Sequence, residues 1–215
     1  MERRLTILLI ILVYFIACGK SCLKEPAQDF HHLSEVETEK DSIRTEFETG
    51  YLSEEARFAA ETRAVQKLKD FADYFSIYTD TSLDPLFKDK AGNMIRDIFI
   101  SEDVRLSFGN NEKKLAKNPV LSQFLEKGPD NDYYSASIVF DSIYISDPLK
   151  KTGAESYAGV LGCFQEIAYI TGADTITTPP EAITVEMFAT RAIKIFGADT
   201  LFVWEVSLGD MRKDE

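Results

Sequence analysis

The sequence predicts an α+β domain in which N-terminal helices pack on a curved antiparallel sheet. An amphipathic helical pattern begins at residue 53, and shorter helical patterns follow it. After residue 132 the chain changes to long segments rich in Ile, Val, Phe, Tyr and Thr, which favour strands. Helices first and strands afterwards are the order of elements typical of this class.

An export signal begins the chain. Arg3 and Arg4 precede an apolar run at residues 5–17, and Cys18 follows directly. A helix of this run would reach only about 20 Å, whereas the hydrocarbon core of a bilayer is about 30 Å thick. The run is therefore too short for a comfortable membrane span.

The segment Phe15-Ile16-Ala17-Cys18-Gly19 resembles the lipobox of bacterial lipoproteins. The resemblance implies cleavage before Cys18 and acylation of that cysteine, with an ordinary secretory signal or an uncleaved anchor as the alternatives. It also implies lipid anchoring in the cell envelope of a gram-negative bacterium. Lys20 lacks the Asp associated with inner-membrane retention, which favours the outer membrane.

The remaining chain divides into an acidic flexible tether at 18–51 and one domain at 52–215, after the signal peptide at 1–17. Both histidines, His31 and His32, lie in the tether. Adjacent histidines there are either solvated side chains or a metal site, and solvated side chains are the simpler interpretation. The domain has no histidine, which excludes Ser-His, Cys-His and His-metal chemistry. The sequence indicates no metal, no cofactor and no catalytic residue.

Charge limits the partners. The net charge is −12, and removal of the signal peptide takes away two arginines and one glutamate, which leaves −13. Such a surface repels phosphate backbones and anionic head groups, so we expect no nucleic acid and a membrane contact made only through acyl chains on Cys18. An unknown protein or small molecule is the expected partner. The other cysteines, Cys22 and Cys163, are predicted to be unpaired, with Cys163 buried.

The first convincing helix begins after Ser53, whose hydroxyl is an N-cap and which precedes two acids in the first turn. Its apolar face recurs at three- and four-residue steps as far as Tyr78. Pro85 restarts the chain in one or two short helices as far as Ile98. A short strand is predicted at 104–108 and another short helix at 119–127.

Four strands are predicted at 133–145, 157–171, 183–196 and 201–208, in an antiparallel meander. Gly159 and Gly162 indicate a bulge or bend in the second strand. The sequence Gly-Ala-Asp-Thr occurs at 172–175 and at 197–200, each time directly after a strand. A turn at a strand end is favoured over a ligand-binding loop.

The last two strands allow a prediction of register. The odd positions of 183–196 and the even positions of 201–208 are mostly apolar, so both rows are expected to face one core. A four-residue loop at 197–200 would achieve this, with Ile195 opposite Phe202 and Ile193 opposite Trp204.

This order of elements, over residues 53–210, resembles the nuclear-transport-factor-2-like fold, a cone of helices and curved sheet in the cystatin-like group. The resemblance implies a pocket inside the cone, which some members use for isomerase, dehydratase or cyclase chemistry and many use only for binding. Its enzymes usually carry an Asp-His pair, or a Tyr with acids, and this domain offers no histidine. A non-catalytic binding or scaffold role is therefore expected. The alternative is a small histidine-free isomerase or dehydratase with a carboxylate and Tyr pocket.

Arg191 is the one charged residue in the apolar row of its strand. A buried guanidinium needs a carboxylate or an anionic ligand, so an inward Arg191 would pair with an acid such as Glu166 and line a pocket mouth with Trp204 and Tyr169. In the alternative, a bulge near Ala189 turns Arg191 outward. Homodimerisation through the open sheet face is compatible with either placement.

Overall fold

The computed structural model describes residues 51–108, 119–127, 134–172, 174–196 and 199–214. The predictions for the signal, Cys18, the tether and its histidines lie outside these ranges. None of the described helices is long and apolar enough to span a membrane.

Helix α1 runs over Glu54–Thr79 and confirms the predicted helix. The Ser53 hydroxyl accepts a hydrogen bond from the Ala56 N–H at 3.2 Å, as an N-cap should. At the other end, the buried Thr79 hydroxyl lies 2.7 Å from the Ala136 carbonyl and accepts the Ala136 N–H at 3.1 Å. These bonds fasten the end of α1 to the first strand. The buried face of the helix carries Ala60, Ala64, Leu68, Phe71, Phe75 and Tyr78.

Two shorter helices follow, α2 at Pro85–Arg96 and α3 at Leu121–Lys127. Asp84 caps α2 by accepting the Leu86 N–H at 2.8 Å, and proline at the first helical position needs no hydrogen-bond partner. The Tyr78 hydroxyl donates to the Leu125 carbonyl at 2.7 Å, which joins α1 to α3. Both predicted helical regions are therefore present.

The strand predicted at 104–108 is not formed. Val104, Leu106 and Phe108 are buried as expected, but the ladder consists of a single bridge between Arg105 and Val120. The Arg105 N–H donates to the Asp210 carboxylate at 2.9 Å instead of to a strand backbone. The segment is thus a buried connection beside the sheet.

The sheet contains five antiparallel strands in the order β1-β2-β4-β5, with β3 paired to the end of β2. This confirms the α+β class, with helices first and an antiparallel sheet after them. The sequence reasoning missed β3, and it ended β1 and β5 too early. The strands are β1 at Ser135–Gly153, β2 at Ser156–Thr171, β3 at Asp174–Thr177, β4 at Glu181–Phe196 and β5 at Asp199–Lys213.

The bulge predicted at Gly159 and Gly162 of β2 lies instead in the partner strand β1, because β2 keeps an unbroken register with β4. Register shifts occur along β1 between 141 and 150, opposite the two glycines. The Tyr144 ring lies over Gly162, in the place a Cβ would occupy. At Gly159 a Cβ would lie 2.7 Å from the Asp147 carbonyl oxygen. The glycines therefore admit the bulged partner strand.

Each Gly-Ala-Asp-Thr sequence joins two antiparallel strands, and its Asp and Thr already belong to the second strand. Thr171 pairs with Asp174, and Phe196 pairs with Asp199. Gly172 has φ +64°, the left-handed conformation that such turns require. The turn interpretation is confirmed, but the four-residue loop at 197–200 is wrong.

The register of β4 and β5 therefore differs by two residues from the prediction: Ile193 pairs with Phe202, and Arg191 pairs with Trp204. A shift of two keeps every side chain on its predicted face, because side chains alternate with a period of two. The alternation of apolar residues is therefore the same in both registers and does not distinguish them.

The far ends of β4 and β5 leave the sheet as a two-stranded ribbon, which we call the β4–β5 arm (residues 191–204). The last residue of β4 with a neighbour on β2 is Thr190, which pairs with Ser156. Ile193 and Ile195 are 62% and 74% exposed, and Phe202 is 39% exposed. The prediction that these residues lie in the core is wrong, because the arm projects past the strand that would cover it.

Candidate functional site

Arg191 and Trp204 lie side by side at the base of the β4–β5 arm. The Arg191 side chain is 11% exposed, and its Nη1 lies 2.9 Å from Oε1 of Glu155 in the β1–β2 turn. The Arg191 N–H also donates to the Glu155 carbonyl at 3.0 Å. Its guanidinium stacks on the Phe202 ring, 3.8 Å from the centroid. Arg191 thus ties the arm to the β1–β2 turn.

Two expectations for Arg191 are corrected. The ladder between Met187 and Phe196 is regular, so no bulge near Ala189 turns the side chain outward. The carboxylate partner is Glu155 and not Glu166, which pairs with Val139 on β1. The charge is therefore satisfied by the protein itself.

Trp204 is the cross-strand partner of Arg191. Its ring meets the Tyr157 ring edge to face, with centroids 5.5 Å apart and planes at 84°. The Tyr157 hydroxyl accepts the Leu52 N–H at 3.1 Å, which anchors the start of α1. The indole Nε1 of Trp204 is buried, and no acceptor for it is found within the described ranges.

Tyr169 does not join this cluster. It is fully buried and pairs with Ala136 on β1 and Ile176 on β3. Twelve residues of β2 separate it from Tyr157, a path of roughly 40 Å at about 3.3 Å per residue. The structure brings Arg191 and Trp204 together and places Tyr169 at the opposite end of the strand.

The concave side of the sheet is filled by aromatic rings from the helices and the 104–108 connection. Phe75 stacks on Phe124 at a centroid distance of 5.6 Å and packs on Phe108 at 5.5 Å. Phe71 contacts Phe99 at 5.2 Å and Phe140 at 6.3 Å. These rings pack closely between the helices and the sheet.

A polar groove lies instead at the β5 edge of the domain, with a volume of about 620 Å³. The pKa of Lys67 is lowered, mainly because the side chain is partly buried. Its Nζ donates to the Asp97 carbonyl at 2.8 Å. Arg96 contributes a second cation and pairs with Glu102 at 3.2 Å. The lining residues are Lys67, Arg96, Asp97, Phe99, Ile100, Thr190, Glu205, Val206 and Ser207.

Sequence reasoning missed this groove. Lys67 reads as one of several charges on the solvent side of α1, and no local pattern relates it to Glu205. Only the packing of α1 against β5 brings the two together.

Replacing Arg191 by leucine is expected to lower the free energy of unfolding by about 1–2 kcal/mol, because it removes a half-buried ion pair and a cation–π contact. Urea unfolding measures this. Glu155→Gln should cost about 1 kcal/mol, because it leaves the guanidinium without its carboxylate. The control is Lys194→Leu, whose exposed pair with Glu205 spans 3.6 Å and should contribute about 0.5 kcal/mol or less. Equal costs for Arg191→Leu and the control would contradict the role of Arg191 as a tie.

No protein-family model and no curated protein matches the chain. Among solved structures, the chain is similar to the crystal structure of a "Putative Scytalone Dehydratase" from Novosphingobium aromaticivorans DSM 12444. The two share 12% identity and a TM-score of 0.36, over 74% of this chain and 87% of the other. A TM-score of this size supports no inference about family or activity.

Proposed function

We propose that this protein is a lipid-anchored, non-catalytic binding or scaffold module of the bacterial cell envelope. The anchor is supported by the basic start of the chain, the apolar run at 5–17 and the cysteine that follows it. Acyl chains on Cys18 would hold the acidic domain at a surface that its own charge does not favour. The absence of Asp at position 20 favours the outer membrane.

The filled interior is the observation that carries the non-catalytic part of the proposal. An enzyme of the isomerase or dehydratase kind needs an acid or base facing a substrate-sized cavity. Here Phe71, Phe75 and Phe108 are buried at the centre of the concave side. The buried Gln165 donates through Nε2 to the Ser107 carbonyl at 3.0 Å, and its Oε1 has no partner among the described residues.

The outer face of the sheet supports a protein as the partner. Tyr144 of β1 lies over Gly162 of β2. Phe164 is two residues further along β2 and therefore on the same face. Val139, Tyr144 and Phe164 are 58%, 53% and 47% exposed. Exposed apolar side chains on one face are typical of protein contact surfaces. Homodimerisation through this open face remains a prediction.

The alternative function, a small histidine-free isomerase or dehydratase, is favoured by one observation, the groove beside β5. Lys67 with a lowered pKa lies there near the carboxylates of Asp97 and Glu205. Perturbed titratable groups in a groove are candidates for acid–base chemistry. An enzyme would therefore use the β5 edge and not the cone.

Substituting Cys18 by serine is expected to abolish both cleavage and acylation, because the thiol is the atom that receives the lipid. In a gram-negative host, the wild-type chain should partition into the detergent phase of a Triton X-114 extract and begin at a modified Cys18 by mass spectrometry. The Cys18→Ser variant should fail both tests. Cys22→Ser is the matched control and should behave as wild type. An unmodified wild-type N-terminus at another residue would exclude lipid anchoring.

A further inference from the structure

The β4–β5 arm is an incomplete piece of sheet. Beyond Thr190 and Glu205 it consists of two strands, and a two-stranded ribbon alone is marginally stable in water. One face of the arm nevertheless exposes large apolar side chains at Ile193, Ile195 and Phe202. Both features indicate that another element covers the arm.

The free edge of β5 has a defined hydrogen-bonding set. Leu208 directs both of its backbone groups away from β4: its N–H donates to Ile98 at 3.0 Å, and its carbonyl accepts from Ile100 at 2.8 Å. The ladder from Leu208 to Asp199 is regular, so the even residues Val206, Trp204, Phe202 and Thr200 present their N–H and C=O groups on the same edge. No described residue pairs with those four.

This free stretch has two ends. The segment 98–100 occupies the edge at Leu208, and the hairpin turn ends the strand beyond Asp199. The groove of about 620 Å³ lies at the Val206 end. An added strand therefore has room for residues opposite 200–206, with its end in the groove.

We propose that the occupant is a second copy of this chain, whose β5 pairs antiparallel with this β5 about a two-fold axis at Val203. In that register Phe202 lies opposite Trp204 of the second copy, and Thr200 lies opposite Val206 of the second copy. The four residues whose backbone groups lie on the free edge would then all form hydrogen-bonded pairs. The two ribbons would become one four-stranded sheet.

Side-chain chemistry agrees with this register. Phe202 would lie beside the half-buried Trp204 of the other copy, a cross-strand aromatic pair that buries part of its exposed ring. Glu205 would lie opposite Leu201 and Val203 opposite Val203, so no like charges face each other across the axis.

Disulfide trapping tests the register. Val203 is a non-hydrogen-bonded position on this edge, where paired Cα atoms are about 4.5 Å apart, within disulfide range. We expect Val203→Cys, in the full chain carrying Cys22→Ser, to form a cross-linked dimer in membranes on mild oxidation. Glu205→Cys in the same background is the matched control and should remain monomeric, because its two copies would lie four residues apart along the strands. Equal cross-linking of the two variants, or of neither, would overturn the proposal.

Proline scanning tests the hydrogen bonds. Val206→Pro removes one N–H from the free edge, where proline is tolerated without loss of a bond to β4. In detergent-purified full chain, light scattering should give a dimer for wild type and for Val206→Ala, which keeps the N–H. Val206→Pro should raise the dissociation constant roughly tenfold or more, because the bond occurs twice in a two-fold interface. A wild-type monomer in which the amides of Trp204 and Val206 are protected from hydrogen exchange would show that another part of the chain covers the edge, and would also overturn the proposal.

Discussion

Replacing Phe75 by alanine is expected to lower the free energy of unfolding by about 3–5 kcal/mol, the largest effect of any single substitution considered in the core. Phe75 is fully buried, and its ring packs on Phe71 at 6.0 Å, Phe108 at 5.5 Å and Phe124 at 5.6 Å. Its neighbours come from α1, α3 and the 104–108 connection, so they cannot all collapse into the space left behind. Urea unfolding followed by circular dichroism measures the loss.

Phe58→Ala is the matched control, because Phe58 lies on the same helix and is 71% exposed. Its effect should stay within about 0.5 kcal/mol. A loss below about 1.5 kcal/mol for Phe75→Ala would mean that the concave side is not closely packed.

The same pair of variants tests the filled interior. Benzene should raise the melting temperature of Phe75→Ala, because the substitution opens an apolar cavity, and it should leave wild type unchanged. Stabilisation of wild type by benzene would show an open pocket in the cone. That result would favour the isomerase- or dehydratase-like alternative over the binding module.

Replacing Gly159 by alanine is expected to lower the free energy of unfolding by about 2–3 kcal/mol, at the upper end of the range for overpacking. The new Cβ would lie 2.7 Å from the Asp147 carbonyl oxygen and 3.0 Å from the Leu149 nitrogen. Both atoms belong to the backbone of the bulged β1, and the Leu149 N–H also donates to the Glu61 carboxylate at 2.8 Å. Relief would require β1 to move as a whole.

Gly162→Ala provides the comparison, since its Cβ would meet only the Tyr144 side chain. Tyr144 is 53% exposed and can rotate away, so the expected cost is about 1 kcal/mol. Adding Tyr144→Ala should restore Gly162→Ala and should not restore Gly159→Ala. Rescue of both glycine variants by Tyr144→Ala would show that the backbone of β1 is not the obstacle at Gly159.

Local patterns predicted the elements whose causes are local. Ser53 caps α1 whatever the helix packs against, and the three- and four-residue spacing of Leu68, Phe71 and Phe75 selects one face. The first Gly-Ala-Asp-Thr sequence follows its strand with a left-handed glycine, Gly172, as a tight turn requires. Arg191 stood out in the sequence as the one charged residue in an apolar strand row.

Other features depended on elements distant in sequence. The apolar alternation at 104–108 predicted a strand, but the Asp210 carboxylate takes the Arg105 N–H and the ladder stops at one bridge. The partner of Arg191 is Glu155, thirty-six residues away, because the β1–β2 turn lies beside the start of the arm. Neither contact can be predicted from the residues adjacent in the sequence.

By itself, then, the sequence determined the α+β class, the helix that begins after Ser53 and the faces of the strands, because each follows from residue spacing along a short stretch of chain. The export signal at 1–17 stays a prediction. Only the tertiary structure decided the register of β4 against β5, the exposure of Ile193 and Ile195, and the groove between Lys67 and Glu205. The physical reason is that a period of two specifies which way a side chain points but not where its strand stands along its neighbour. Burial depends on how far the neighbouring strand extends. Here β2 begins at Ser156, opposite Thr190, and β4 continues past that point without a partner on β2.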